Sequence, residues 1–510
     1  MVNVVRDLVG CTIMAGDVAG RVTSGSIALV ICLSMTPTIR ADTLNGSLIN
    51  AYQNNPQLNS QRAVTRESDE QVPQALSGYK PTISATLSTS QSYTSQVSKL
   101  TSVSPVVVAT PSGPQRIGLP QQPCVSAPCY PRTDFESQPS TAGLTISQTL
   151  FNGFQTANRV RQAESNTSAA RESLRVAEQT VLLNAATAYM DLLRDGALLD
   201  LQRRNVEVLQ EQLRQTRDRF NVGEVTRTDI AQTEAQLAQG RATVLAAEAQ
   251  YVRSRANYRQ FIGVEAGALQ PAAPVDRLTP RNLIGAIEIA RARHPSVGVA
   301  MFGIDAAVLQ VKITEGSLYP QAHLIGGVQQ NWESQAISTQ LQQFNAFVQA
   351  QVTIPIFNAG PAGASDTFSS IRAAKETVGQ KRMDLETARD QIQAAVVTAW
   401  GQLEAAKAQI LATQAGVAAA EIALDGVREE ARVGQRTTLD ILLQQQTLVN
   451  ARTALVTAQH DRVVASYTVL GAVGELNLPK LGINIPLYDP MVHYQQVRDA
   501  WIGVRIPDGR

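Results

Sequence analysis

RFNVGEVTRTDIAQ (Arg219–Gln232) and EARVGQRTTLDILLQ (Glu430–Gln444) are two copies of one segment in a chain of 510 residues. Val222-Gly223 aligns with Val433-Gly434, and Asp229 with Asp440, at an offset of 211; Gly263 and Gly474 obey the same offset. In each copy a glycine stands where a helix would end in a left-handed turn, a conformation glycine adopts freely. Each glycine is followed by Thr-x-x-Asp, the spacing of a capping box that opens a new helix. Each copy therefore reads as helix, tight turn, helix.

The flanks carry a period of seven. Leu192, Leu199, Val206, Leu213 and Phe220 precede the first turn, and Ile230, Leu237, Val244, Tyr251 and Tyr258 follow it. Leu403, Ile410, Val417 and Leu424 precede the second, and Leu442, Val449, Val456, Val463 and Leu470 follow it. A sustained heptad implies a left-handed coiled coil. Ala185, Ala186, Ala188, Ala405, Ala406 and Ala408 would let neighbouring helices approach closely. Thr156–Phe220 as one helix would be roughly 100 Å long at about 1.5 Å per residue, a device for spanning distance.

The duplication extends upstream. NNPQL (Asn54–Leu58) matches RHPSV (Arg293–Val297), and Tyr79-Lys80-Pro81 matches Leu318-Tyr319-Pro320, both offset by 239. Leu150-Phe151-Asn152 matches Ile356-Phe357-Asn358 at an offset of 206, so the first copy holds 33 extra residues. They fall in a Pro/Ser/Gln-rich stretch, read as one long loop over 97–140. The organisation predicted is a signal peptide over 1–41, a first repeat over 42–263, a linker over 264–279, a second repeat over 280–476 and a tail over 477–510. IPLYDP (Ile485–Pro490) and Trp501 suggest a tail lying against the helices.

Four segments alternate as strands do, at about 82–96, 141–151, 321–333 and 346–357. Ile83, Ala85 and Leu87 oppose Thr and Ser, and Ala346, Val348, Ala350, Val352, Ile354 and Ile356 form the clearest apolar row. Strands of about ten residues with one apolar and one polar face suit a transmembrane barrel. Four strands cannot close around water, and open edges are not tolerated in lipid. Three chains would supply twelve strands, whereas two would enclose little beyond side chains.

Composition narrows the function. Lys plus Arg number 44 and Asp plus Glu 43, a net charge of +1 that gives no support to nucleic-acid binding. Arg21 before the apolar run Ile27–Met35, with Ala41 as the residue before cleavage, reads as an export signal too short to span a bilayer; Met14 is an alternative start. Ile31 before Cys32 argues against a lipoprotein signal. After cleavage Cys124 and Cys129 remain, an even pair that favours a disulfide in an exported chain. His294, His323, His460 and His493 are scattered, with no metal-ligand spacing, and no P-loop, GxSxG elbow or His-centred triad is present. No enzyme, cofactor or metal site is expected.

The paired turns VGEVTRTD (Val222–Asp229) and VGQRTTLD (Val433–Asp440), NNP at Pro56, LFNG at Leu150–Gly153 and TAYMDLL at Thr187–Leu193 together resemble the TolC family of outer-membrane efflux and secretion channels. The resemblance covers roughly 42–476. It implies a homotrimer with a twelve-stranded β-barrel in outer-membrane lipid, set on a long periplasmic α-helical barrel whose tip is closed at rest. It implies two partners, a periplasmic adaptor and an inner-membrane transporter of the ABC or RND type. The conduit would serve either type I protein secretion or drug efflux. By the same resemblance Asp440, Asp229, Arg436, Thr228 and Asp218 are gate candidates. Arg436 would reach toward Thr228 and Asp229 of a neighbouring hairpin, and Val222, Gly223, Val433 and Gly434 would meet the adaptor. Ala431 and Leu443 stand where the best-known members carry a tyrosine and a second acid, so the gate would be held by fewer links.

Simpler roles stay open beside these. Asp229 and Asp440 also fit as capping acids near the positive end of a helix. Arg436 fits as an exposed turn cation. A secreted coiled-coil structural or adhesive protein is the competing reading of the whole chain. It differs from a channel in requiring no apolar β band.

Overall fold

The computed structural model describes residues 42–99, 106–110, 113–117, 128, 130, 132–332, 342–356 and 364–506. The expected signal peptide over 1–41 and the Cys124–Cys129 pair lie outside the described residues.

The described residues begin with three short helices, α1 (Leu44–Asn54), α2 (Pro56–Asp69) and α3 (Gln71–Leu76). Strands β1 (Thr82–Thr89), β2 (Ser92–Val97), β3 (Val106–Thr110), β4 (Gly113–Ile117), β5 (Arg132–Ser137) and β6 (Ser140–Asn152) follow. The first long hairpin is α4 (Gln155–Asn221) and α5 (Arg227–Ile262). The second copy runs through α6 (Leu283–Arg293), α7 (Pro295–Gly316), β7 (Gln321–Trp332), β8 (Gln342–Thr353), α8 (Ala364–Arg432) and α9 (Thr438–Val473), and α10 (Pro490–Val497) closes the chain. The 67 residues of α4 make a single helix about 100 Å long.

The repeated motifs are joints. Asn55 caps α2 by accepting from Gln57 N–H at 2.8 Å, and its equivalent His294 caps α7 by accepting from Ser296 N–H at 3.1 Å. In both, proline occupies the first helical turn, where a missing N–H costs nothing. The ends of α5 and α9 close on Gly263 and Gly474, at φ +85° and +84°. A Cβ at Gly263 would come within 3.1 Å of Asn54, and one at Gly474 within 2.9 Å of His294. The NNP and RHP motifs are thus conserved between the copies because each seats a helix start against a glycine-ended helix.

The heptad rows turn inward. Leu192, Leu199 and Leu213 of α4 are buried, as are Leu237 and Tyr258 of α5, Leu403 and Leu424 of α8, and Leu442, Val449, Val463 and Leu470 of α9. Phe220, at the turn, stays exposed. The largest core lies mid-length, where Leu48, Tyr52 and Leu58 meet Leu182, Tyr189, Tyr258, Tyr467 and Leu478. Tyr189 donates its hydroxyl to the carbonyls of Asp42 and Gln270, and burial pushes it up to about 12. Ala185, Ala186, Ala188 and Ala406 are buried, but Ala405 and Ala408 face outward on the single chain. Ion pairs Arg203–Glu248 (2.8 Å) and Arg452–Glu421 (2.7 Å) lace each hairpin from outside.

The sheet order is β1-β6-β7-β8, antiparallel throughout. Its register places like with like: Ile83 opposite Ile146, Ala85 opposite Leu144, Leu144 opposite Val328, Val328 opposite Ala346, and Gly326 opposite Val348. Residues directly opposite share a face. One face is therefore apolar across all four strands, and the other carries Thr86, Thr145, Ser147, Gln329, Asn345 and Gln349. β1 and β8 are the two edges.

Strand limits differ from those predicted. The 82–96 segment breaks into β1 and β2, and β8 spans 342–353 rather than 346–357. The first break faces Pro139, which lacks an N–H to donate, and Ser90 N–H bonds the Pro139 carbonyl instead. Pro355 similarly follows the end of β8. The predicted single loop over 97–140 contains the ribbon of β3 with β4, and its strand β5 pairs back with β2.

Candidate functional site: the hairpin tips

Both tips are built from the same two devices. Gly223 N–H bonds the Phe220 carbonyl at 2.9 Å and Glu224 N–H bonds the Arg219 carbonyl at 2.9 Å; Gly434 bonds Ala431 at 3.2 Å and Gln435 bonds Glu430 at 2.9 Å. These pairs are Schellman closures. The left-handed residues are Gly223 and Gly434, at φ +81° and +80°. Three residues on, Thr226 and Thr437 open the next helix with complete capping boxes.

Asp229 and Asp440 close those boxes. The Asp440 carboxylate accepts from the Thr437 N–H and hydroxyl, both at 2.9 Å, and Asp229 accepts from Thr226 at 2.8 and 2.7 Å. Hydrogen bonds from Thr437, with Arg436 nearby, hold the Asp440 carboxyl below the usual carboxylate range. The direction of the carboxylate is set by the cap.

The other gate candidates separate. On the single chain Arg436 donates to Glu430 of its own hairpin at 2.8 Å. Asp218 lies 3.6 Å from Arg214, one turn away on α4. Thr228 is exposed on the first turn of α5. Arg219 pairs with Glu224 at 3.0 Å. Glu430 is the repeat equivalent of Arg219, so the two tips carry ion pairs of opposite polarity. The 211 offset could have shown this, but an unpaired alignment of charges says nothing about which partner each will find.

Val222 and Val433 stand exposed on the turns, at 72% and 70%, and nothing lies within 4 Å of a Cβ built on either glycine. Between the hairpins lies a groove of about 700 Å³ with Glu207, Glu211 and Glu224 on one side and Arg428 and Arg432 on the other. Arg214 beside Glu211 holds that carboxyl down at about 2.

A fold with an amphipathic four-stranded sheet at one end and two capped hairpins at the other can be compared with known proteins. The family model described as outer membrane efflux protein matches residues 48–264 and 286–475, one block for each repeat. The chain belongs to the outer membrane efflux protein family. As a member it is an exit duct of the outer membrane and a conduit, not an enzyme. It is 37% identical to the outer membrane efflux protein BepC of Brucella suis, over 99% of this chain and 98% of that protein. It is 23% identical to the alkaline protease secretion protein AprF of Pseudomonas aeruginosa, over 65% of this chain and 68% of that one. The fold also matches the crystal structure of the Campylobacter jejuni CmeC outer membrane channel, with TM-score 0.67 at 16% identity, covering 89% of both chains. The family assignment removes the competing reading of a secreted adhesive scaffold.

Proposed function

We propose that three copies of this chain form a single duct, with a twelve-stranded barrel continuing into a ring of six long hairpins. The observation that carries this is the sheet: one apolar face kept in register over four strands, ending in two unpaired edges. β8 and β1 run antiparallel to each other, so an edge of one copy can pair with the opposite edge of the next and leave no edge in lipid. Exposed Leu245 and Val252 on α5, and Val397 and Leu411 on α8, lie at heptad-related positions away from the chain's own core. A neighbouring helix would cover them.

In this reading the Val222-Gly223 and Val433-Gly434 turns are the docking points of a periplasmic adaptor, which joins the duct to an inner-membrane transporter. Exposed valines on rigid, glycine-closed turns offer apolar contact without loop ordering. Asp440 repeats three times around the axis as a cation-attracting ring at the closed tip. Small-molecule efflux is favoured over protein secretion, because the relative matched over its whole length is named as an efflux protein. Native mass measurement in detergent should return three chains, and Val222→Asp with Val433→Asp should abolish co-purification of the adaptor while leaving the trimer intact. A stable monomer without detergent would sink the proposal.

A further inference from the structure

Trp501, Ile502, Val504 and Ile506 are 70%, 97%, 102% and 77% exposed, so the last described residues form an apolar segment that nothing among the described residues covers. The stretch before them is fastened down. Tyr488 N–H donates to the Tyr52 hydroxyl at 3.1 Å. On α10, His493 Nδ1 lies 3.0 Å from the buried carboxylate of Asp69, whose other oxygen lies 3.3 Å from Arg171. The Arg171 guanidinium also sits over the Tyr494 ring at 4.8 Å. These contacts lead the tail along α2 to the sheet. There Lys80 Nζ donates to the Ala500 carbonyl at 3.0 Å and stands 4.8 Å from the centre of the Trp501 ring. Lys80 lies two residues before β1, at the end of the sheet where the helices begin.

We propose that Trp501–Ile506 is an interfacial anchor lying in the periplasmic leaflet of the outer membrane. The proposal rests on the barrel reading above, because it needs the helical end of the sheet to mark the bilayer boundary. A tryptophan beside a lysine at that level is the arrangement found at membrane–water interfaces, with the ring at headgroup depth. Ile83 and Leu87 on β1, the strand that begins two residues after Lys80, are likewise 65% and 84% exposed. Lys80 and Arg505 place cations beside it, matching anionic lipid headgroups. Apolar side chains this exposed and contiguous mark a surface that meets a partner. The partner available at the barrel rim is lipid. The strap of contacts through Tyr488, His493 and Tyr494 brings the anchor to this level, so that the tail ties the helical section to the membrane.

The test uses the full chain reconstituted in vesicles of phosphatidylethanolamine and phosphatidylglycerol carrying headgroup-proximal spin-labelled lipid. The sequence has three tryptophans, Trp332, Trp400 and Trp501, and Trp332 on β7 reports barrel insertion. Comparing the wild type with Trp501→Phe isolates the Trp501 signal without altering the barrel. The expected result is strong quenching of Trp501, lost on Val504→Asp with Ile506→Asp while Trp332 quenching remains. Quenched Trp332 with unquenched Trp501 would overturn the anchor alone, and would point to a neighbouring copy or to water. Quenching of neither would overturn the barrel reading and the anchor with it.

Discussion

Gly153 and Gly316 meet backbone to backbone where the sheet joins the helices. A Cβ on Gly316 would stand 2.6 Å from the Gly153 carbonyl oxygen, and one on Gly153 would overlap the Gly316 carbonyl. Gly153 and Phe154 both have left-handed backbones, φ +65° and +61°. This contact sets the exit of β6 into α4 beside the exit of α7 toward β7, and so joins barrel to coil.

Gly153→Ala is therefore expected to cost well over the ~1–2 kcal/mol of a left-handed L-residue, because strain and overlap add. The assembled protein in outer-membrane fractions should fall sharply. Gly223→Ala, at φ +81° with no atom within 4 Å of its Cβ, meets strain alone and should keep assembly near wild type. Thermal unfolding of the two variants side by side measures the difference.

His294 supplies a pH dependence. Burial pushes its pKa below the ordinary histidine value of about 6.5, and its neutral Nδ1 accepts the Ser296 N–H. The unfolded chain then binds the proton more readily than the folded one. Stability from this site is complete above about pH 6.5 and declines as pH falls toward the lowered folded value. His294→Asn installs the cap that Asn55 already provides in the first repeat. Melting temperatures across pH 7 to about 5 should fall less in that variant than in the wild type.

The repeat was legible because turn chemistry is local: Gly223 and Gly434 each close one helix three residues before a threonine that opens the next. The heptads were legible because Leu192, Leu403 and Leu470 pack within one chain. Ala405 and Ala408 are exposed on the single chain, because heptad spacing does not tell an intrachain groove from a surface that meets another copy. β2 was not separated from β1 because both are exposed and rich in Ser and Thr, so no change of burial marks the break between them. Arg436 found Glu430, six residues back across the turn, a partner that depends on side-chain reach and not on motif.

Asp440→Ala should reduce cation preference and multivalent-cation block in single-channel recordings, and Asp229→Ala should do so less. Since its hydrogen bonds from Thr437 hold Asp440 below the usual carboxylate range, the wild-type preference should persist through the pH at which an ordinary carboxylate protonates. Loss of preference at clearly higher pH would assign the ring to another carboxylate.

Arg436→Ala should raise resting conductance, whereas Glu430→Gln, which frees Arg436 from its own-hairpin partner, should not. The pair is exposed, so the difference should shrink at high salt. Equal rises in both variants would mean that the Arg436–Glu430 pair merely stiffens its hairpin.

Conductance of the purified wild-type protein in a planar lipid bilayer tests the duct most directly. Sheets closing among three copies around a water-filled lumen predict discrete, uniform current steps from the detergent-solubilised trimer. A protein that inserts as a trimer yet passes no current under any voltage, even after Arg436→Ala, would contradict a conduit.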